Sequence, residues 1–319
     1  MRRYSSMGEL PLGGGRRVVA IGTFDGVHVG HQLIIRRAIE MARERDLPAM
    51  ALTFEPQPVA VLRPELRPAV LTHLARKCQL IEALGVDELL VAPFTRGFSR
   101  LRAERFAEML CSAPVNADGI VVGQNFRFGH GGTGTAEWLS AFGRTRGLRV
   151  EVPEIVTCAE GKPISSTRIR RLVATGQVDA VIPLLGRRHS VEGVVVPGDQ
   201  RGRALGFPTA NLEIPADSAV PGRGVYAASA VLSGGRTAAA VNIGTSPTFT
   251  DADIGARLRL EAFLIDHDGS DLYGQPMRIE FISRLRDERR FPSPEALVEQ
   301  ITEDVARTRS VVAAATAGS

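Results

Sequence analysis

His28 and His31 stand three positions apart at the end of IGTFDGVHVGH, the stretch from Ile21 to His31. Imidazole N–H groups can donate to a phosphate whose charge grows in a transition state, a task that requires no lysine. Glycines at 22, 26 and 30 permit positive φ angles and close approach to a ligand. A helix beginning at His31 would add unpaired N–H groups and partial positive charge. The pattern HxGH is therefore read as a phosphate site rather than as a plain capped turn or a metal site. A metal needs more ligands than two histidines, and His73, His130, His189 and His267 offer no matching spacing.

Three further stretches carry candidate chemistry. In ISSTRIR, Ile164 to Arg170, the hydroxyls of Ser165, Ser166 and Thr167 precede a helix carrying Arg168, Arg170 and Arg171. Hydroxyls, helix amides and guanidinium groups could face one polyphosphate; a well-capped basic helix is the simpler alternative. In GDQRGRALGFPTANL, Gly198 to Leu212, glycines at 198, 202 and 206 fit a flap over phosphate. Thr209 and Asn211 there offer two hard oxygen ligands, which suits Mg²⁺, an ion that completes its shell with phosphate and water. In RLRLEAFLI, Leu258, Leu260, Ala262 and Leu264 share one face and Arg257, Arg259 and Glu261 the other. Glu261 is a candidate base for a hydroxyl proton, although spacing alone is met more simply by a cross-strand ion pair. GHGGTG, Gly129 to Gly134, satisfies GxGxxG formally but follows NFRF instead of leaving a strand, and no acidic residue stands clearly at the expected distance. No GxxxxGK[ST] occurs.

The elements that must position these residues have two textures. From residue 18 to about 186, β-branched runs alternate with helical patterns: VVAI then HQLIIRRAIEMARERD, AMALTF then LARKCQLIEALG, ELLVAPF then AERFAEMLCS, GIVVG then AEWLSAFGRTRG, and finally RVEVPEIV. This rhythm predicts a parallel sheet with helices on both faces and ligands at the strands' carboxyl ends. After Gly186 the pattern turns to period-two strands with glycine turns. VYAASAVL, SGG and RTAAAVNI read as a hairpin; RLRLEAFLI and MRIEFISRL are joined by DHDGSDLYGQP; and SPEALVEQITEDVARTR reads as a closing helix with Ser293 as cap and Pro294 in the first turn. The expectation is two domains, 1–186 and 187–319, the second an antiparallel β-barrel with a C-terminal helix.

Composition narrows the class. At 319 residues and 44% hydrophobic the chain can bury the cores of two domains. No apolar run is long enough for a membrane span and no apolar signal core opens the sequence, so a cytoplasmic location is expected. Cys78, Cys111 and Cys158 form no CxxC pair and read as reduced, mostly buried thiols. A net charge of +4 is spread among 35 acidic residues rather than gathered into a run, which argues against nucleic acid as a partner. Lys77 and Lys162 are the lysines; every other cationic side chain is arginine.

GTFDGVHVGH together with ISSTRIR resembles the nucleotidyltransferase signature pair, and TFEPQP (Thr53 to Pro58), VGQNFRFGHGGTG (Val122 to Gly134), GRALGFPTAN, NIGTSPTF (Asn242 to Phe249), DLYGQP and LRDERRF extend the match over almost the whole chain. The pattern is similar to that of the bacterial bifunctional riboflavin kinase/FAD synthetases. That resemblance implies a Rossmann-like nucleotidyltransferase domain followed by a riboflavin kinase barrel, with riboflavin, FMN, FAD and ATP as substrates and products and Mg²⁺ as cofactor. It implies no nucleic-acid or membrane partner and leaves the oligomeric state open. Carried onto this sequence it makes His28, His31 and Glu261 catalytic, and it selects base over ion pair for Glu261. It puts Gly22, Phe24, Asp25, Ser165, Ser166, Thr167, Arg168, Gly202 and Arg203 at ATP, Asn125, Phe126, Arg290 and Phe291 at flavin, and Thr209 and Asn211 at the metal. Asp25 could face nucleotide or merely orient the turn. Two positions depart from the pattern: Gln57 and Phe263 stand where histidine is common. They keep alive a rival in which only one half is active, beside a second rival, an arginine-rich nucleic-acid binder.

Overall fold

RVVAI, Arg17–Ile21 (β2), is buried at every position, as a strand covered on both faces must be. In the computed structural model, which describes residues 1–198, 202, 205–245 and 258–317, β2 lies in a parallel sheet with β1 (Arg2–Tyr4), β3 (Ala49–Glu55), β4 (Glu88–Pro93), β5 (Ala117–Val122) and β8 (Arg149–Glu151), ordered β1-β4-β3-β2-β5-β8. Val19 and Ile21 point into one core with α4 (Ala103–Cys111) and α5 (Ala136–Arg146). Val18 and Ala20 point into the other, with α1 (Val29–Arg43) and α3 (Leu74–Glu82). The period-two alternation of β2 is thus spent on two helix layers, and each large aliphatic it buries contributes about 1.5–3 kcal/mol. Because β2 pairs with β3 on one side and β5 on the other, the chain reverses direction across the sheet there. That switch point is where open α/β sheets hold ligands.

Two features of this unit were not expected from the pattern. Residues 2–4 form an edge strand on β4, and NFRFGHGGTG folds into a small hairpin, β6 (Arg127–Phe128) with β7 (Gly134–Thr135). A short helix, α2 (Pro58–Leu62), follows TFEPQP. None of the three cysteines is in a disulfide; Cys78 is buried and Cys111 and Cys158 half-buried, and burial pushes the Cys78 and Cys111 thiols up, away from reactivity.

Contacts divide the chain into Met1–Ser166 and Thr167–Ser319. The division falls at the first residue of α6 (Ser166–Ala174), well before the change of rhythm at Gly186. The single helix expected after Ser166 is two, α6 and α7 (Val178–Leu185), with Gly176 between them at φ 75°. In the second unit β9 (Ser190–Val196), β10 (Thr209–Glu213), β11 (Gly224–Leu232), β12 (Gly235–Thr245), β13 (Leu258–Leu264) and β14 (Pro276–Arg286) close into a barrel, β10-β13-β12-β11-β14-β9. Among the described residues every pairing in the barrel is antiparallel, and closure leaves no open edge. Alanines 228, 230, 239 and 262 pack inside beside Tyr226 and Phe281, small against large, and Val178 of α7 joins that core. α8 (Pro294–Ala317) ends the described chain; Ser293 Oγ accepts from the Ala296 N–H at 3.3 Å, the cap the sequence predicted. Among the described residues no helix is long and apolar enough to cross a membrane.

Candidate active sites

The turn between β2 and α1 is built under strain and tied from several sides. Phe24, Gly26 and Val27 have φ of 49°, 85° and 40°, and left-handed backbone at non-glycine residues costs of order 1–3 kcal/mol each. The surroundings hold it there. Thr53 Oγ1 of β3 donates to the Thr23 carbonyl at 3.0 Å, Gln32 Nε2 donates to the Val27 carbonyl at 3.0 Å, and the Asp25 carboxylate accepts from the Leu71 and Thr72 N–H groups at 3.1 and 3.2 Å. Asp25 is 1% exposed, so of the two roles open to it the structure displays that of an anchor for the turn. Gly22 and Gly30 serve by lacking a side chain. A Cβ at Gly22 would lie 2.7 Å from the Phe24 ring, and one at Gly30 would lie 3.2 Å from the His28 ring. Of the glycines expected to supply positive φ, Gly26 does so.

His28 is the N-cap of α1, whose first residue is Val29 rather than His31. Its Nδ1 accepts from the His31 N–H at 3.3 Å, which places the ring proton on Nε2, the tautomer of an N–H donor. The two rings stack, centroids 3.6 Å apart and 17° between planes, and Phe24 meets His31 edge-on at 5.5 Å. Two imidazoles and a helix N-terminus therefore gather at the carboxyl end of the central strand. Ser166 Oγ donates to the Asp25 carbonyl at 2.9 Å, bringing the second motif to the first, with Ser165 beside it in sequence. Thr167 and Arg168 begin the second unit.

Asn125 lies exposed in the turn leaving β5, the strand beside β2. Phe126 stacks on Phe128 at 5.3 Å, within an unbroken run of rings, Phe54, Phe94, Phe98, Phe106, Phe128 and Trp138, whose neighbours are 5.3–5.9 Å apart. These rings come from positions 54 to 138 and nothing in their spacing marks them as one cluster; the βα connections assemble them. Gln57 is the residue before α2 and makes no side-chain cap.

In the barrel, Glu261 is directly opposite Asn211 on β10 and Asn242 on β12. The row Asn211, Glu261, Asn242 thus crosses three strands on one face, with Thr209 opposite Phe263 one step along. Leu260 and Ala262 point the other way into the core, so the alternation read from RLRLEAFLI holds. Glu261 also lies 3.8 Å from Arg259, two residues back on the same strand rather than across to a neighbouring one; such a contact does not exclude a role as base. Gly198 lies so close to Asn211 that any Cβ would overlap its amide, and a Cβ at Gly202 would be 3.4 Å from Thr209 Oγ1. Gly198 and Gly202 therefore lie against the two candidate metal ligands. Phe263 packs edge-on against Phe207 at 5.4 Å, so the departure from histidine is met by an aromatic partner in GFPTAN. Arg203 and residues 246–257 lie outside the described residues. Phe291 carries two guanidinium groups on its ring, Arg289 at 4.9 Å and Arg286 at 5.6 Å, while Arg290 is exposed beside it. Asn242 was not singled out from the sequence although its motif NIGTSPTF was; only strand register sets it against Glu261.

Comparison with known proteins matches both halves. The FAD synthetase family matches residues 14–168 and the riboflavin kinase family residues 185–312. Proteins named bifunctional riboflavin kinase/FMN adenylyltransferase are similar over nearly the whole chain: that of Escherichia coli (strain K12) is 36% identical, covering 90% of both chains, and that of Listeria monocytogenes is 34% identical, covering 93% of both. A solved structure from Streptococcus pneumoniae, titled a macrolide-efflux protein, is 32% identical with a TM-score of 0.84, covering 96% of this chain and 98% of that one.

Proposed function

The chain belongs to the bifunctional riboflavin kinase/FMN adenylyltransferase family, and from that premise we propose that it makes FAD from riboflavin in two ATP-dependent steps with the following division of labour. Residues 187–319 phosphorylate riboflavin and residues 1–186 adenylylate the FMN formed. One observation supports both assignments at once: each unit gathers its own motif residues at one place, the stacked histidines over a helix N-terminus in the first and Glu261 between Asn211 and Asn242 in the second.

In the kinase step the 5′-hydroxyl oxygen of riboflavin attacks the γ-phosphorus of ATP, the bond to the ADP oxygen breaks, and the Glu261 carboxylate takes the hydroxyl proton. Thr209 and Asn211 fit a hard divalent ion: both offer a side-chain oxygen, and glycines at 198 and 202 put no side chain of their own against them. Mg²⁺ bound there would neutralise phosphate charge. Gly202 and Arg203 are assigned to the same ATP, and Arg290 and Phe291 to the flavin. In the adenylyl step an FMN phosphate oxygen attacks the α-phosphorus of ATP and pyrophosphate leaves. No protein nucleophile takes part. Donors at His28 and His31 and the amides of α1 stabilise the charge that builds on the phosphates; Gly22 and Phe24 shape the turn, Asp25 fixes it, Ser165, Ser166, Thr167 and Arg168 belong to the same nucleotide, and Asn125 and Phe126 border the flavin. Cysteines outside any disulfide and small-molecule substrates accord with a cytoplasmic location.

The test is a time course with riboflavin, ATP and Mg²⁺, separating flavins chromatographically, beside a reaction started from FMN. FMN should rise before FAD. FAD formed from added FMN only would remove the kinase assignment, and FMN accumulating without FAD would remove the adenylyltransferase.

A further inference from the structure

The buried side chains of helix α8 are polar, while Val311 packs half-buried against Val225, Ala227 and Leu285. The buried residues of this helix are Gln300, Asp304 and Thr308, one turn apart on the stripe that an ordinary surface helix fills with leucine or isoleucine. Asp304, 3% exposed, accepts from Arg286 at the end of β14, Nε to Oδ2 at 2.9 Å and Nη2 to Oδ2 at 2.8 Å. Gln300 Nε2 donates to Asp304 Oδ1 at 3.1 Å and to Glu303 Oε2 at 3.1 Å, while Gln300 Oε1 accepts from Arg289 Nη2. Thr308 Oγ1 closes the row on the Asp304 carbonyl at 2.7 Å.

A buried ion pair holds two elements together less effectively than well-packed apolar residues of the same volume, because both charges lose their hydration. Its advantage is direction: a carboxylate accepting from a guanidinium edge fixes the plane of the guanidinium. Here Arg286 is held by the Asp304 carboxylate and Arg289 by the Gln300 amide oxygen, and these are the two guanidinium groups that lie over the Phe291 ring. The helix thus reaches Phe291 through two parallel links, Asp304 to Arg286 and Gln300 to Arg289.

We propose that Asp304 and Gln300 are positioning residues of the kinase, which set the Phe291 ring through Arg286 and Arg289 and so make α8 part of the riboflavin site. This rests on the assignment of Phe291 to the flavin. Riboflavin affinity, not ATP affinity or the phosphoryl-transfer step, should then depend on Asp304.

The experiment uses the full chain: Asp304→Asn, Phe291→Leu and the double variant, assayed for riboflavin phosphorylation with each substrate varied, alongside thermal unfolding. Asp304→Asn should raise the KM for riboflavin about tenfold while kcat and the KM for ATP stay within about twofold. In the Phe291→Leu background the same substitution should add nothing, since the ring it positions is gone. Gln300→Leu, which fills its site with apolar volume, should raise the riboflavin KM about threefold through the Arg289 link, and it carries the test if Asp304→Asn does not fold. A riboflavin KM unchanged in folded Asp304→Asn or Gln300→Leu, or effects of Asp304→Asn and Phe291→Leu that multiply, would overturn the inference while leaving the kinase assignment intact. Absence of FMN formation by the unaltered protein would instead remove that assignment, and the inference with it.

Discussion

His28 does two jobs: its Nδ1 caps α1 and its ring stacks on His31. Replacing it with alanine would remove both, and loss of a cap alone costs about 0.5–2 kcal/mol. Asparagine keeps a cap acceptor while removing the ring. His28→Asn combined with His31→Ala should therefore fold, lower FMN-to-FAD conversion by about a hundredfold or more, and leave FMN formation unchanged; equal loss of both activities would show that the sites are misassigned. Glu261→Gln should behave conversely, lowering FMN formation about 10²–10⁴-fold with FAD formation from added FMN intact. Undiminished kinase turnover in that variant would reduce Glu261 to the partner of Arg259.

Strand pairing is the element on which the kinase site depends, and a carboxylate steadies it. Arg236 on β12 reaches across β11 to Glu280 on β14 at 2.6 Å, and Arg278 lies 3.1 Å from the same carboxylate. Burial by itself raises the Glu280 carboxyl, but Arg236 and Arg278 outweigh it and hold the group below the ordinary glutamate range. A carboxyl depressed by folding stabilises the native state above its unfolded pKa, and the contribution is lost as pH falls through the folded pKa. Urea unfolding of the protein and of Glu280→Gln should accordingly differ near neutral pH, with the unaltered protein more stable. The two curves should converge in acid, once pH has dropped below the folded pKa of Glu280. A gap that persists unchanged into acid would assign the effect to packing.

At the scale of the whole molecule, family matching and contacts divide the chain differently. The riboflavin kinase match starts at residue 185, whereas the second compact unit starts at Thr167 and includes α7, which packs on β14 and contributes Val178 to the barrel core. A fragment of residues 167–319 should unfold cooperatively and retain riboflavin phosphorylation. One of residues 187–319 should be less stable by about 3 kcal/mol or more, the loss of one or two buried aliphatic side chains. Equal melting temperatures for the two fragments would place the boundary at Gly186 instead.

The sequence alone determined what is local or periodic. Alternating apolar runs specify which strands are buried on two faces and which on one, and GTFDGVHVGH, ISSTRIR and GRALGFPTAN identify their chemistry because the residue types needed to hold phosphate sit within a few positions of each other. The Ser293 cap and the hairpin of β11 and β12 were legible for the same reason. Tertiary structure alone decided what depends on partners distant in sequence. Left-handed backbone falls on Phe24 and Val27 because Thr53, Leu71, Thr72 and Gln32 hold the turn between them. Asn242 meets Glu261 through barrel register, the aromatic rings meet through βα crossovers, and a helix whose pattern reads as ordinary is seated on Gln300, Asp304 and Thr308. A polar residue's burial is set by the charge that waits for it elsewhere in the chain, and no local pattern records that charge.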